Sequence, residues 1–186
     1  MNIMIVGVGG QGTLLASRIL GKVAIKEGYD VKVSEVHGMS QRGGSVVPYV
    51  KYGDKVYSPI IDRGEADLIL AFEMLEAMRA LPYLKKGGKM IANTQKMNPM
   101  PVITGAMEYP ENIEEKLSAK INLQAVDALS LAEKAGTIKA VNVVLIGLLA
   151  KSMDVDKNVW IDVIKETVPE KFLDVNIKAF ELGYEL

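Results

Sequence analysis

The chain has 186 residues, 49% of them apolar and 24% charged, and a net charge of −1. A chain this long fits one domain of roughly 100–200 residues and buries about 70% of its unfolded surface, so it needs no disulfide or metal to fold. The absence of cysteine excludes a disulfide framework, a thiolate nucleophile and a Cys-ligated iron–sulfur cluster, and a single histidine, His37, argues against a His-based zinc site.

The N-terminus enters an apolar run at once, without a basic leader or cleavage site, so no signal peptide is expected. The most apolar helix candidate, residues 140–150, falls short of the ~20 residues that a membrane span needs. No basic face stands out, which argues against nucleic-acid binding. The expected class is a cytoplasmic soluble protein.

Residues 2–6 are rich in Ile and Val and read as a buried first strand. Residues 7–12 form a glycine turn, and Thr13 is placed to cap a helix whose apolar positions Leu14, Leu15, Ile19, Leu20, Val23 and Ala24 recur at helical spacing. Gly28 ends that helix, and residues 31–36 alternate as a second strand. Strand, turn, helix and strand make a βαβ unit, right-handed by rule. Residues 37–44 have no apolar period and three glycines, hence a loop. Residues 45–52 and 55–61 are β-rich runs joined at Gly53-Asp54, which predicts an antiparallel hairpin, with Pro48 and Pro59 placing it at a sheet edge or at irregular points.

Alternation of the α/β type then resumes. Residues 66–72 read as a strand, 73–84 as a helix, 85–89 as a basic turn and 90–93 as a strand. Residues 97–110, with three prolines, read as an extended connection. A short acidic helix over 111–119, a strand over 121–126, a helix over 129–135, an apolar helix over 141–153 and two final helices split near Pro169 complete the chain. The expected fold is a three-layer α/β/α domain over residues 1–186, with a mostly parallel sheet, a Rossmann-like N-terminal βαβ, an inserted antiparallel hairpin and a helical C-terminus.

Two segments can carry chemistry. Gly7-Val8-Gly9-Gly10-Gln11-Gly12 matches G-x-G-x-x-G between a strand and a helix, and Glu35 falls where a dinucleotide-binding protein places its ribose-binding carboxylate. Glycines allow close backbone approach, and a helix N-terminus offers unpaired N–H groups to an anion. Three readings stay open for this turn: a purely structural bend, NAD or FAD binding, or contact with another anion or a partner's backbone. In the second segment Arg42 is followed by Gly43 and Gly44. Its guanidinium can pair with a phosphate or carboxylate, with His37, Ser40 and Gln41 nearby as hydrogen-bonding groups, or it can simply be solvated. His37 alone reads as a structural hydrogen-bonder. Asn142, inside an apolar helix, is expected to hydrogen-bond across a packed interface. Asp67 and Glu73 form no evident carboxylate pair, and the ten methionines read as soft packing.

Taken together, Gly7–Gly12 and the run Glu35-Val36-His37-Gly38-Met39-Ser40-Gln41-Arg42-Gly43-Gly44-Ser45 resemble the small gamma-type domain of the pyruvate/2-oxoacid:ferredoxin oxidoreductases. Tyr57-Ser58-Pro59-Ile60-Ile61 before Ala66-Asp67, Val141-Asn142 with Gly147, and Asn176-Ile177-Lys178-Ala179-Phe180 agree, so the resemblance covers nearly the whole chain. Compact length and the full His37–Gly44 run look most like the beta subunit of the indolepyruvate branch. The resemblance implies an enzyme that decarboxylates a 2-oxoacid on thiamine diphosphate, passes electrons through 4Fe-4S clusters to ferredoxin and releases an acyl-CoA. It also implies that thiamine diphosphate, Mg and the clusters belong to a large alpha subunit, that this chain is not active alone, and that aryl pyruvates and coenzyme A are the co-substrates. Related gamma subunits for pyruvate, 2-oxoglutarate or branched-chain 2-oxoacids are the alternative within the family; a stand-alone NAD-binding protein and a non-catalytic assembly module are the alternatives outside it. On this chain the residues expected at the site are Gly7, Gly9, Gly10, Gln11, Gly12, His37, Ser40, Gln41, Arg42, Gly43 and Gly44.

Overall fold

β1 (Asn2–Val8) runs down the middle of a six-stranded sheet, and its alternate side chains enter two different cores. The computed structural model describes residues 1–37 and 43–186. Ile3 and Ile5 pack on one face and Met4 and Val6 on the other, which is the period-2 consequence of a strand covered on both sides.

A left-handed Gly12 leads into α1 (Thr13–Lys26) without any side-chain cap. Thr13 is therefore the first helical residue and buried, where sequence placed it as a cap. β2 (Asp30–His37) and β3 (Ser45–Gly53) pair antiparallel from Asp30↔Gly53 to His37↔Val46. β3 also pairs antiparallel with β1. It thus lies between β1 and β2, which run parallel to each other without touching, and the sheet order is β2-β3-β1-β4-β5-β6.

The antiparallel element is present, but its two strands are β2 and β3. Residues 55–61 form no strand, and Pro59 among them can donate no ladder hydrogen bond. Pro48 sits in an interior strand, yet at an irregular point. The β1–β3 register runs over Asn2–Met4 against Tyr49–Lys51 and resumes at Gly7 and Val8 against Val46 and Ser45, with Pro48 inside the interruption.

β4 (Ala66–Ala71), β5 (Leu84–Asn93) and β6 (Asn122–Val126) extend the sheet in parallel. α2 (Met74–Ala80) and α4 (Ile113–Ser118) cover one face, and a four-residue helix, α3 (Met100–Ile103), interrupts the proline-rich connection. The expected basic turn at 85–89 is part of β5, where the register shifts between Ala66 and Leu68 and loops out Lys85–Gly88 as a bulge.

The other face is covered by α1, α5 (Ala128–Ala135), α6 (Val141–Lys151), α7 (Lys157–Thr167) and α8 (Leu173–Tyr184). α6 is buried all round from Val141 to Ala150 because α8 lies over it. That crossing needs two glycines. A Cβ on Gly147 would overlap the Phe180 carbonyl, and one on Gly183 the Val144 carbonyl.

Candidate functional site

The glycine turn, the end of the second loop and the first turn of α6 meet around one cleft of about 570 Å³. Gly9, Gly10, Gln11, Gly12 and Gly43 line one side, Gln95 and Met97 the floor, and Ile138, Lys139 and Val141 the other side. All of this lies beyond the carboxyl ends of β1, β4 and β5, the usual ligand side of an open parallel sheet.

Topology explains why the two loops meet. The two segments follow β1 and β2, which are not adjacent. They meet because β3, which follows the second loop, starts beside the end of β1 with Ser45 opposite Val8. The Gly9 N–H then donates to the Gly44 carbonyl at 2.9 Å. Ser40, Gln41 and Arg42 lie outside the described residues, and of His37 the strand backbone alone is described, paired with Val46.

The six positions of the turn do different work. Gly7 is a packing requirement: a Cβ there would come 2.8 Å from Thr13 Cγ2 and 3.0 Å from Phe72 Cβ. Gly10, at φ +100°, has nothing among the described residues within 4 Å of where its Cβ would be, and it lines the cleft. Gln11, expected to touch a ligand, is chiefly a strut. Its Oε1 accepts the Val8 N–H at 2.8 Å and its Nε2 donates to the Phe72 carbonyl at 3.1 Å.

Electrostatically the cleft favours an anion. α1 and α6 both start at it, neither has an acidic residue in its first turn, and neither has a side-chain cap. The Val143 N–H in the first turn of α6 is taken by Asn142 Oδ1 at 3.0 Å, but no carboxylate in either first turn offsets the positive dipole ends. Lys139 stands exposed at the rim and, among the described residues, makes no ion pair. Asn142 bonds across the α1–α6 interface as expected, with Nδ2 3.4 Å from the Gly12 carbonyl.

Glu35 does not belong to this site. It is exposed on the edge strand β2 and lines a separate groove with Arg18 and Lys22. The interposed β3 moves it one strand spacing, about 4.8 Å, further from the glycine turn than the dinucleotide arrangement requires.

Sequence reasoning missed the groups beneath the cleft. Asn93 is fully buried, and its Oδ1 accepts the Ala128 N–H at 3.1 Å. Glu73, also buried, caps α2 through the Glu76 N–H at 2.9 Å, takes the Met97 N–H at 3.0 Å and accepts the Tyr109 hydroxyl. Burial, reinforced by the hydrogen bond to Glu73 and its charge, pushes the Tyr109 phenol well above its ordinary range. Glu76 holds Arg79 and Ser45 at 2.6 Å each. The signal in the sequence for Asn93 and Gln95 is Asn93-Thr94-Gln95, a polar triplet that begins at the last residue of β5. Among the described residues no group of three His, Cys, Asp or Glu side chains gathers as metal ligands, and no helix is long and apolar enough to cross a membrane.

A family model described as pyruvate ferredoxin/flavodoxin oxidoreductase matches residues 2–186, and the chain belongs to that family. Among curated relatives it is similar to the indolepyruvate oxidoreductase subunit IorB of Thermococcus kodakarensis, 46% identical with 98% of this chain and 93% of the relative covered. The IorB subunit of Pyrococcus horikoshii is 47% identical over the same shares. Among solved structures, the gamma subunit of a keto/oxoacid ferredoxin oxidoreductase from Geobacter sulfurreducens superposes with a TM-score of 0.73 at 25% identity, covering 99% of this chain and 96% of that one. The chain is thus a homologue of the small subunits of 2-oxoacid:ferredoxin oxidoreductases.

Proposed function

We propose that this chain is the small (beta) subunit of a cytoplasmic indolepyruvate:ferredoxin oxidoreductase, formed by one gamma-type domain over residues 1–186. The observation that carries the reading is the likeness to two IorB subunits at 46–47% identity over 98% of the chain. In this reading a larger alpha subunit holds thiamine diphosphate, Mg and 4Fe-4S clusters. The assembled enzyme converts aryl pyruvates and coenzyme A to acyl-CoA while reducing ferredoxin. This chain has no cysteine with which to ligate a cluster itself.

The residues here contribute binding. The turn of Gly7, Gly9, Gly10, Gln11 and Gly12, together with His37, Ser40, Gln41, Arg42, Gly43 and Gly44 of the second segment, receives the anionic part of coenzyme A at the face shared with the alpha subunit. What supports this is the cleft itself: two acid-free helix starts and Lys139 converge on it, and open Gly10 admits close backbone approach.

Anaerobic affinity purification of the chain from its host tests the assignment. A stoichiometric large partner carrying thiamine diphosphate, iron and aryl-pyruvate-dependent ferredoxin reduction is the expected result. A chain that comes down alone, with a melting temperature raised by NAD and unmoved by coenzyme A, overturns it. Within the assembled complex, Arg42→Ala is expected to weaken coenzyme A binding about ten-fold, the scale of one lost charge-assisted hydrogen bond. Unchanged affinity would remove coenzyme A from the loop.

A further inference from the structure

Four hydrogen bonds on the floor of the cleft close into a ring. Gln11 Nε2 donates to the Phe72 carbonyl at 3.1 Å and to Gln95 Oε1 at 3.4 Å. Asn93 Nδ2 donates to the same two acceptors at 3.3 and 3.4 Å. A carboxamide nitrogen has two hydrogens, so both donors are fully used. Three of these bonds are longer than about 3.2 Å, so the ring is informative for its polarity rather than its strength.

Neither donor can turn over. Gln11 Oε1 already accepts the Val8 N–H at 2.8 Å, and Asn93 Oδ1 accepts the Ala128 N–H at 3.1 Å. A flipped amide at either position would set N–H against N–H. Gln95 must therefore present oxygen, not nitrogen, to the pair, because a reversed Gln95 would face two NH2 groups with a third. Its Nε2 is turned away from the ring. Among the described residues that nitrogen donates to no protein group. It is also not sequestered: among the described residues the one buried side-chain atom without a partner is Trp160 Nε1. Gln95 lines the cleft.

We infer that the Gln95 carboxamide is a ligand-binding group whose Nε2 donates to an acceptor oxygen, phosphate or carbonyl, of the molecule held in the cleft. The inference rests on the reading of the cleft as a coenzyme A site and names a residue for it outside both glycine loops. A neutral donor fixed by its own oxygen costs little ordering on binding and complements the helix starts, which supply partial charge but no side-chain reach. Both kinds of acceptor exist on coenzyme A, and the same titration with dephosphorylated and pantetheine fragments separates them.

Gln95→Glu is the discriminating change. It keeps an oxygen for Gln11 and Asn93 and replaces the outward donor by an acceptor. In the assembled complex, titrated with coenzyme A in the absence of 2-oxoacid, Gln95→Glu should lower affinity about ten-fold or more, with an undiminished melting temperature. Gln95→Met removes donor and ring acceptor without adding charge, so it should weaken binding and also lower the melting temperature. Either variant binding coenzyme A as tightly as the wild-type complex overturns the role of Gln95 and leaves the site reading standing. A Gly10→Trp complex, with the cleft filled, that binds coenzyme A as tightly as the wild-type complex overturns the site reading and Gln95 with it.

Discussion

Asn142 Nδ2 lies 3.4 Å from the Gly12 carbonyl, and a Cβ built on Gly12 would come 2.5 Å from that same nitrogen. The glycine turn and the first turn of α6 are therefore one packed unit. This separates two glycines that look alike in sequence. Gly10→Ala pays only for a left-handed backbone, about 1–2 kcal/mol, because no described residue comes within 4 Å of the added Cβ. Gly12→Ala adds a collision with Asn142 and should cost about 3 kcal/mol or more. Urea denaturation of the two variants with unchanged slopes checks the order; equal losses would mean that Asn142 yields freely.

Gln11 supplies a second contrast. Gln11→Ala leaves the Val8 N–H without its side-chain partner and the Phe72 carbonyl with Asn93 Nδ2 alone, at about 1–3 kcal/mol. Gln11→Glu keeps the acceptor for Val8 but turns a second oxygen toward the Phe72 carbonyl. It should be the more damaging change at neutral pH although it is nearly isosteric. A Gln11→Glu protein as stable as wild type would show that Gln11 is held from the cleft side and not from the strand ends.

Much of this fold was readable in the sequence because its elements are locally encoded. Alternating Ile and Val in β1, the helical spacing from Leu14 to Ala24, and Pro169 between α7 and α8 each state their element directly. Pairing was not readable. Nothing local says that Ser45–Gly53 inserts between β1 and β2 instead of folding back on residues 55–61, since both partners offer β-rich runs and the choice is made by long-range packing. At the site the glycines announced the turn through their backbone demands. Gln95 stayed silent because a polar residue after a strand reads as ordinary loop, and the hydrogen bonds of Asn93 and Glu73, read as the end of a strand and the start of a helix, appear only once the strands beside them are placed.

The α6–α8 crossing gives a stability prediction far from the cleft. Added methyl groups at Gly147 or Gly183 would each meet backbone of the facing helix, which cannot move aside as a side chain can. Each Gly→Ala change should cost about 3 kcal/mol or more, above the 1–3 kcal/mol of ordinary overpacking and despite the better helix propensity of alanine. Thermal melts followed by circular dichroism read this out. If Gly147→Ala raises the melting temperature, as propensity alone would have it, the two helices do not lie in backbone contact.

Asp67 ties the start of β1 to the β5 bulge, accepting the Asn2 N–H at 2.8 Å and pairing with Lys85 at 3.0 Å. Burial works to raise its carboxyl, but the Lys85 hydrogen bond, the Asn2 N–H and the charges of Lys85 and the N-terminus outweigh burial and hold it below its ordinary value of 3.8. A carboxyl depressed by folding binds protons more readily when unfolded, so its stabilisation is complete above the ordinary value and is lost as pH falls through the folded one. Because Lys85 is largely exposed, the pair is worth no more than about 1 kcal/mol. Asp67→Asn should therefore melt slightly below wild type at pH 7, and the gap should close as pH is lowered beneath 3.8, where the wild-type carboxyl also becomes neutral. A gap that keeps its size across that range would assign the role of Asp67 to its shape and its Asn2 hydrogen bond, with the Lys85 charge contributing nothing.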